Sequence, residues 1–364
     1  MMLLESEILE IREELMSSKR PLIFFDDDTD GLGAFLIFYK FLKGYAEDIK
    51  GIPVKDSPEL KNEIFLRKIE EFQPDKIFIL DKPLVHQDFL DKIKQKVIWL
   101  DHHPMVERAN VKYYNPLRHK SPDYIPDNRP TTYWAQRIAG DESTLWIAMV
   151  GCVGDWFIPE YHKEFSIKYP QLLPKELKLT SPGTALFESK LGELCKILQF
   201  NMKCSTQQAL KSIKILTRIN DPLEILDQTS SQGRFIHRQY DNINETYERI
   251  KSQMKSSRGK LLLSIYEDRF AITGDLANEM QHRNPDKVVM IARRNDEWMV
   301  CSIRSQNISI KEILEKSLVG IDGHGGGHEH ACGAGIKHGD FPKFIENMKK
   351  NIRAATAKKS KKKS

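Results

Sequence analysis

The chain has no apolar run approaching the roughly 20 residues that a bilayer-spanning helix needs, so no membrane segment is expected. Cysteine is scarce: Cys152, Cys195, Cys204, Cys301 and Cys332 are five in number and form no C-x-x-C pair. That argues against a disulfide framework and a four-cysteine zinc site, and fits a reducing compartment. The opening residues carry Glu5, Glu7, Glu10, Glu13 and Glu14 where a secretory signal would need positive charge before an apolar core, so a cytoplasmic location is expected. An excess of one charge is also missing. Lys and Arg total 56 against 51 Asp and Glu, giving a net charge of +5, part of which comes from the final "KKSKKKS". Residues 351–364 therefore read as a basic, disordered tail, either solubilising or weakly attractive to nucleic acid.

At 364 residues, with 40% hydrophobic and 29% charged side chains, the composition is that of a globular protein with more than one domain. The first part alternates strand-like and helix-like segments. "PLIFFD" (21–26), "KIFILD" (76–81) and "KVIWLD" (96–101) are short apolar runs separated by amphipathic stretches. This is the signature of an α/β domain with a parallel sheet. All three runs end in aspartate: Asp26, Asp81 and Asp101. A single Asp in that position is often a helix cap or turn residue. Three in succession point to one edge, because the carboxyl ends of parallel strands share a crevice where ligands bind.

"DDDTDG" places four aspartates among residues 26–30, a concentration of like charge that calls for cations. A calcium loop of the EF-hand type is excluded, since its twelfth position would be Ile37 rather than Glu and a strand-like run precedes it. In extended backbone Asp26, Asp28 and Asp30 would share a face, with Gly31 and Gly33 turning the chain into a helix whose N–H groups suit an anion. "LDHH" adds His102 and His103 beside Asp101, and Asp155 in "GDWF" follows a strongly apolar helix, where it is either a turn residue or a ligand. Oxygen and imidazole donors without thiolate suit Mn²⁺ or Mg²⁺, and the number of acids suits two ions. Two ions roughly 4 Å apart are equipped for phosphoester hydrolysis.

After a helical stretch a second αβ pattern follows: "LLLSIYE", "KVVMIARR" and "EWMVCSIRS" as strands, "SIKEILEKSL" as a helix, then "GHGGGHEHACGAG". A zinc site from His324, His328, His330 and Cys332 matches no familiar spacing. The glycines instead let backbone approach a phosphate, and Arg304 in "SIRS" offers a bidentate fork for one.

In this order, "DDDTDG", "ILD", "LDHH", "GDWF", "SIRS" and "GGGHEHACGAG" resemble the DHH/DHHA1 phosphoesterases, which include RecJ-type exonucleases and nano-RNases, over roughly residues 20–345. The resemblance implies an N-terminal parallel-sheet DHH domain (1–184), a helical connector (185–258), a smaller C-terminal α/β DHHA1 domain (259–350) and the tail. It also implies that Asp28 and Asp81 hold one ion, and that Asp30, Asp81, His102 and Asp155 hold the other, with Asp81 bridging. Asp26 is a further metal candidate. Asp101 would orient the histidines, His103 would lie at the scissile phosphate, and Arg304, Gly326, Gly327 and His328 would bind substrate across a cleft. Phe24 stands where nano-RNases usually carry His, which favours the RecJ-like branch, and the length of 364 residues resembles its compact archaeal type.

The expected activity is two-metal degradation of single-stranded DNA or RNA from an end to mononucleotides, with a replication or repair protein as a candidate partner. Alternatives are hydrolysis of short oligonucleotides or nucleotides, and a non-catalytic Cdc45-like scaffold.

Overall fold

The computed structural model describes residues 2–55, 59–119, 129–254 and 259–361. Most of the Pro-, Asn- and Arg-rich loop at 115–130 and the last three residues of the tail lie outside these. The chain divides into two compact units, Met1–Tyr240 and Asp241–Ser364.

The first unit is built on five parallel strands: β1 (Leu22–Asp26), β2 (Lys50–Val54), β3 (Lys76–Leu80), β4 (Lys96–Leu100) and β5 (Lys112–Tyr114), in the order β2-β1-β3-β4-β5. The three aspartate-terminated runs are its central members. Phe24, Ile77, Ile79 and Trp99 fill one core cluster, and their near-continuous apolar character reflects a sheet buried on both faces. Helix α1 (Glu5–Met16) precedes β1, and α2 (Thr29–Leu42) follows it directly. Two further helices matter to the site: α3 (Thr131–Ala139) and the wholly apolar α4 (Leu145–Gly154). Both pack on α2, and α5 (Lys190–Met202) packs on α4.

The expectation of extended backbone through Asp30 is corrected here. The strand ends at Asp26 and the helix begins at Thr29, because the Asp28 carboxylate caps it, accepting from the backbone N–H of Asp30 (3.0 Å) and Gly31 (2.9 Å). The aspartates thus converge through a strand-to-helix turn. Gly31 is required there, since a Cβ would lie 2.5 Å from the Asp26 carbonyl oxygen.

Helix α6 (Ser231–Gln253) leads into the second unit, which holds a mixed sheet of β6 (Leu261–Glu267), β7 (Val288–Asn295), β8 (Trp298–Arg304), β9 (Gly323–Gly327) and β10 (Ala331–Lys337), ordered β9-β10-β8-β7-β6. Only the β6–β7 pair is parallel. Helix α7 (Thr273–Arg283) packs on β7 and β8, while α8 (Ile310–Ser317) and α9 (Phe341–Lys361) pack on each other. The glycine-rich "GHGGGHEHACGAG" is a β-hairpin, and its turn at His328–His330 is closed by the His328 N–H donating to the Ala331 carbonyl at 2.8 Å. The tail is corrected as well: residues 351–361 continue α9. Ile352 is buried against the core of this unit, and "RAATAKK" is rich in helix formers, so the helix propagates from its anchored part.

Candidate metal centre

Several elements deliver the acids to the carboxyl edge of the first sheet. Asp26 ends β1, Asp28 caps α2, and Asp30 lies in the first turn of that helix. Asp81 follows β3, Asp101 follows β4, and Asp155 caps the C-terminus of α4. Asp81 adopts the left-handed conformation (φ 59°), unusual for a residue with a Cβ, while its N–H donates to the Leu100 carbonyl at 3.0 Å. A strained, buried carboxylate at a strand end is a feature of functional sites.

The ligand atoms meet around His102. Its Nε2 lies 3.4 Å from Asp81 Oδ1, 3.6 Å from Asp155 Oδ2 and 3.7 Å from Asp30 Oδ2. Three groups each bring their ligand atoms within 4.8 Å of one another: Asp26, Asp28 and Asp81; Asp30, His102 and Asp155; and Asp81, His102 and His103. Asp81 belongs to two of them, and so does His102.

The electrostatics are those of an unneutralised cluster. Burial, then the charges of Asp26 and Asp30, push the Asp28 pKa up to about 7. Burial, then Asp30 and Asp28, raise Asp81 and Asp155 well above the ordinary carboxylate range. Among these acids lies Lys82, fully buried, whose Nζ donates to Asp26 Oδ1 at 2.9 Å. Hard oxygen donors, imidazole nitrogen and excess negative charge make a set that fits divalent Mn²⁺ or Mg²⁺.

Asp101 occupies a different position. Fully buried, it accepts from His103 Nδ1 (2.8 Å), the His103 N–H (3.1 Å), the Tyr113 hydroxyl (3.1 Å) and Asn115 Nδ2 (3.3 Å). It fixes the His103 ring. Burial lowers the His103 pKa, but the Asp101 carboxylate more than offsets this and the net shift is upward.

Several supporting residues escaped sequence reasoning. The N–H groups of Thr131 and Thr132, at the start of α3, donate to the Asp30 carboxylate at 2.8 and 2.7 Å, and the Thr131 hydroxyl donates to Asp81 at 3.1 Å. The "TT" opening an apolar helix was the available signal. Asn115 and Lys82 gave none, since one is a loop Asn and the other a Lys among many.

In the second unit, Arg304 on β8 donates through Nε to Asn278 (2.6 Å) and through Nη1 to the carbonyls of Ile303 (3.0 Å) and Cys332 (3.3 Å). Much of its fork is therefore committed to the fold. Gly326, Gly327 and His328 are exposed on the hairpin. Gly327 has φ 140°, and a Cβ there would lie 2.4 Å from the Ala331 carbonyl oxygen, so this glycine is demanded by the turn itself.

Residues 263–354 match the DHHA1 domain. Among solved structures, RecJ from Thermus thermophilus in complex with Mn²⁺ is similar over 95% of this chain and 54% of its own, at 15% identity and TM-score 0.67. The chain thus spans about half the length of that protein. An exonuclease RecJ bound to manganese is similar over 94% of this chain and 92% of its own (17% identity, TM-score 0.62), and CDC45 from Entamoeba histolytica over 96% and 99% (11%, TM-score 0.53). These are likenesses of fold. No curated protein matches the sequence.

Proposed function

From a chain that carries a DHHA1 domain and has the DHH/DHHA1 fold of the RecJ-like proteins, we propose a metal-dependent phosphodiesterase that degrades single-stranded DNA or RNA from an end to mononucleotides. The observation carrying this reading is the convergence of Asp28, Asp30, Asp81, His102 and Asp155 on one strand edge, with Asp81 shared between two groups of ligand atoms. Asp28 and Asp81, with Asp26 nearby, would hold one ion, and Asp30, Asp81, His102 and Asp155 the other. Bound there, two divalent cations supply Lewis-acid stabilisation to phosphoester oxygens and favour deprotonation of water.

The chain's own residues do the rest. Thr131 and Thr132 fix the Asp30 and Asp81 carboxylates, so the donors need little reorganisation. Asp101 holds His103 by Nδ1 and raises its pKa, which suits the ring to donating a hydrogen bond to the scissile phosphate. In the second unit, Arg304 and the backbone at Gly326, Gly327 and His328 would grip the terminal nucleotide's phosphate. Lys82 keeps Asp26 paired in the protein itself, so Asp26 is the weakest of the proposed ligands.

A scaffold role like that of a non-catalytic relative would not require the acids, and each acid the chemistry needs is present. A replication or repair assembly remains compatible as a partner of an active enzyme. The test is digestion of 5′- and 3′-labelled single-stranded RNA and DNA, from dimers to about thirty-mers, with Mn²⁺. A ladder on long strands is expected. Activity confined to the shortest substrates would move the reading to oligonucleotide or nucleotide hydrolysis, and no activity on any would favour the scaffold.

A further inference from the structure

The two faces of the second unit's sheet differ in kind. One carries Met290, Cys301, Ile303, Ala334 and Ile336 into an apolar core with residues of α8 and α9. The other is formed by the alternate residues Trp298, Val300, Ser302 and Arg304 of β8 and their partners. The register sets His324 against Gly335 against Val300, and, one row along, Gly326 against Gly333 against Ser302. Helix α7 meets this face, Ser302 Oγ lying 2.9 Å from Thr273 Oγ1 and Arg304 bonded to Asn278. On β9 and β10, His324, Gly326 and Gly333 are exposed.

In the first row the His324 imidazole rests on Gly335, where a Cβ would come within 2.7 Å of the ring. The Trp298 ring stands against it at 5.4 Å between centroids and 64°, and Lys337 Nζ lies 4.4 Å from the Trp298 centroid. Aromatic cover of a cross-strand glycine accounts for this pair. It does not account for the next row. A Cβ at Gly326 would meet nothing within 4 Å, and one at Gly333 nothing nearer than 3.8 Å. Neither residue has a positive φ. Glycine inside a strand is less stabilising than alanine, so two paired strand glycines with room for side chains are unexplained by the fold. Their use is a bare floor beside an aromatic ring.

We propose that this surface is a nucleobase-binding subsite: a base stacks on His324 beside Trp298, and the sugar lies over the Gly326–Gly333 pair. The phosphate then reaches toward Arg304. Lys337, ion-paired with Glu297, borders the base end. Because every base offers a π face, the subsite is tolerant of base identity and selective for nucleotides over sugar phosphates. The proposal rests on the reading that the second unit takes the terminal nucleotide's phosphate, and its test separates the two.

Titration calorimetry of the full chain with AMP, UMP and ribose 5-phosphate, against His324→Ala, His324→Phe and Arg304→Ala, makes that separation. His324→Ala should weaken AMP and UMP by about tenfold and leave ribose 5-phosphate unchanged. His324→Phe, which keeps a stacking surface without ring nitrogens, should restore nucleotide binding, and Arg304→Ala should weaken all three ligands. Unchanged AMP affinity in His324→Ala, with Arg304→Ala still weakening every ligand, would overturn the base subsite and leave the phosphate reading standing. An equal loss of ribose 5-phosphate in His324→Ala would overturn it too, as would failure of the Phe variant to rescue. If no ligand binds the wild-type chain, both the subsite and the phosphate reading fail.

Discussion

The first unit's parallel sheet ends in two clusters of charge that obey opposite rules. At the amino edge, Glu14 of α1 is surrounded by lysines that open successive strands. Lys76 of β3 donates to it at 2.8 Å, Lys96 of β4 bonds its other oxygen, and Lys112 of β5 lies 3.5 Å away. Burial alone would raise the Glu14 pKa, but these lysines more than reverse that, down to about 2. At the carboxyl edge, Asp28, Asp81 and Asp155 are buried beside like charges and pushed up. One sheet therefore carries a carboxylate neutralised by its own chain and a set of carboxylates left for something else to neutralise. Charge arranged for stability is internally balanced, whereas charge arranged for a ligand is not.

The largest expected effect sharpens this contrast at its acidic end. Asp81→Asn removes the ligand shared between both proposed ions and should cut phosphodiesterase activity by on the order of a thousandfold. In metal-free buffer the same change should stabilise, since it removes a buried charge facing Asp30 and Asp28, and Asn tolerates the positive φ. A gain of about 1 kcal/mol, or roughly 2–4 °C in melting temperature, is expected in a chelator. Lower stability without metal, or retained turnover, would break the comparison.

At the balanced end the sign reverses. Glu14→Gln leaves Lys76 and Lys96 without their carboxylate and should cost about 2–3 kcal/mol, read by urea unfolding, with activity per folded molecule unchanged. The pH dependence follows from the depressed pKa. With about 2 folded against 4.5 unfolded, the stabilisation is fully present above pH 4.5 and is lost as pH falls toward 2. The stability gap between wild type and Glu14→Gln should therefore close over that window. A gap independent of pH would mean that Glu14 acts by packing rather than by charge.

How much of this was legible in the sequence divides along the same line. The central strands were readable because a doubly covered parallel strand is a continuous apolar run, and Asp26, Asp81 and Asp101 were readable because each closes such a run. The edge strands β2 and β5 were not, since "KGIPV" and "KYY" are short and lack that pattern. The Glu14 cluster was invisible, being made of common residues brought together from four segments by the fold. Likewise the Asp28 cap and the Thr131 and Thr132 donors depend on where helices begin, which local propensity locates only to within a few residues. The hairpin was missed for another reason: glycine carries little strand propensity, and β9 exists because β10 pairs with it.

A more modest effect tests whether Asp101 belongs with the ligands or behind them. Asn115 donates to Asp101 and, at 2.9 Å, to the His103 carbonyl, so Asn115→Ala loosens the support of His103 while touching no proposed metal ligand among the acids. Activity should fall about 10- to 100-fold with Mn²⁺ affinity little altered. A parallel collapse of metal affinity would place Asp101 among the groups that hold the ions.

The smallest effect is expected where the second unit leaves space unused. Gly327 and Gly326 are neighbours in one strand, yet only Gly327 is required by geometry, through its φ of 140° and the Ala331 carbonyl. Gly327→Ala should destabilise the chain by about 1–3 kcal/mol. Gly326→Ala, whose new methyl meets nothing within 4 Å, should change stability by no more than about 0.5 kcal/mol, with its cost appearing as a raised KM for oligonucleotide at unchanged kcat. Within one hairpin, this repeats the distinction drawn across the sheet. A residue fixed by its own chain shows up in unfolding, and a residue kept for a ligand shows up only when the ligand is present.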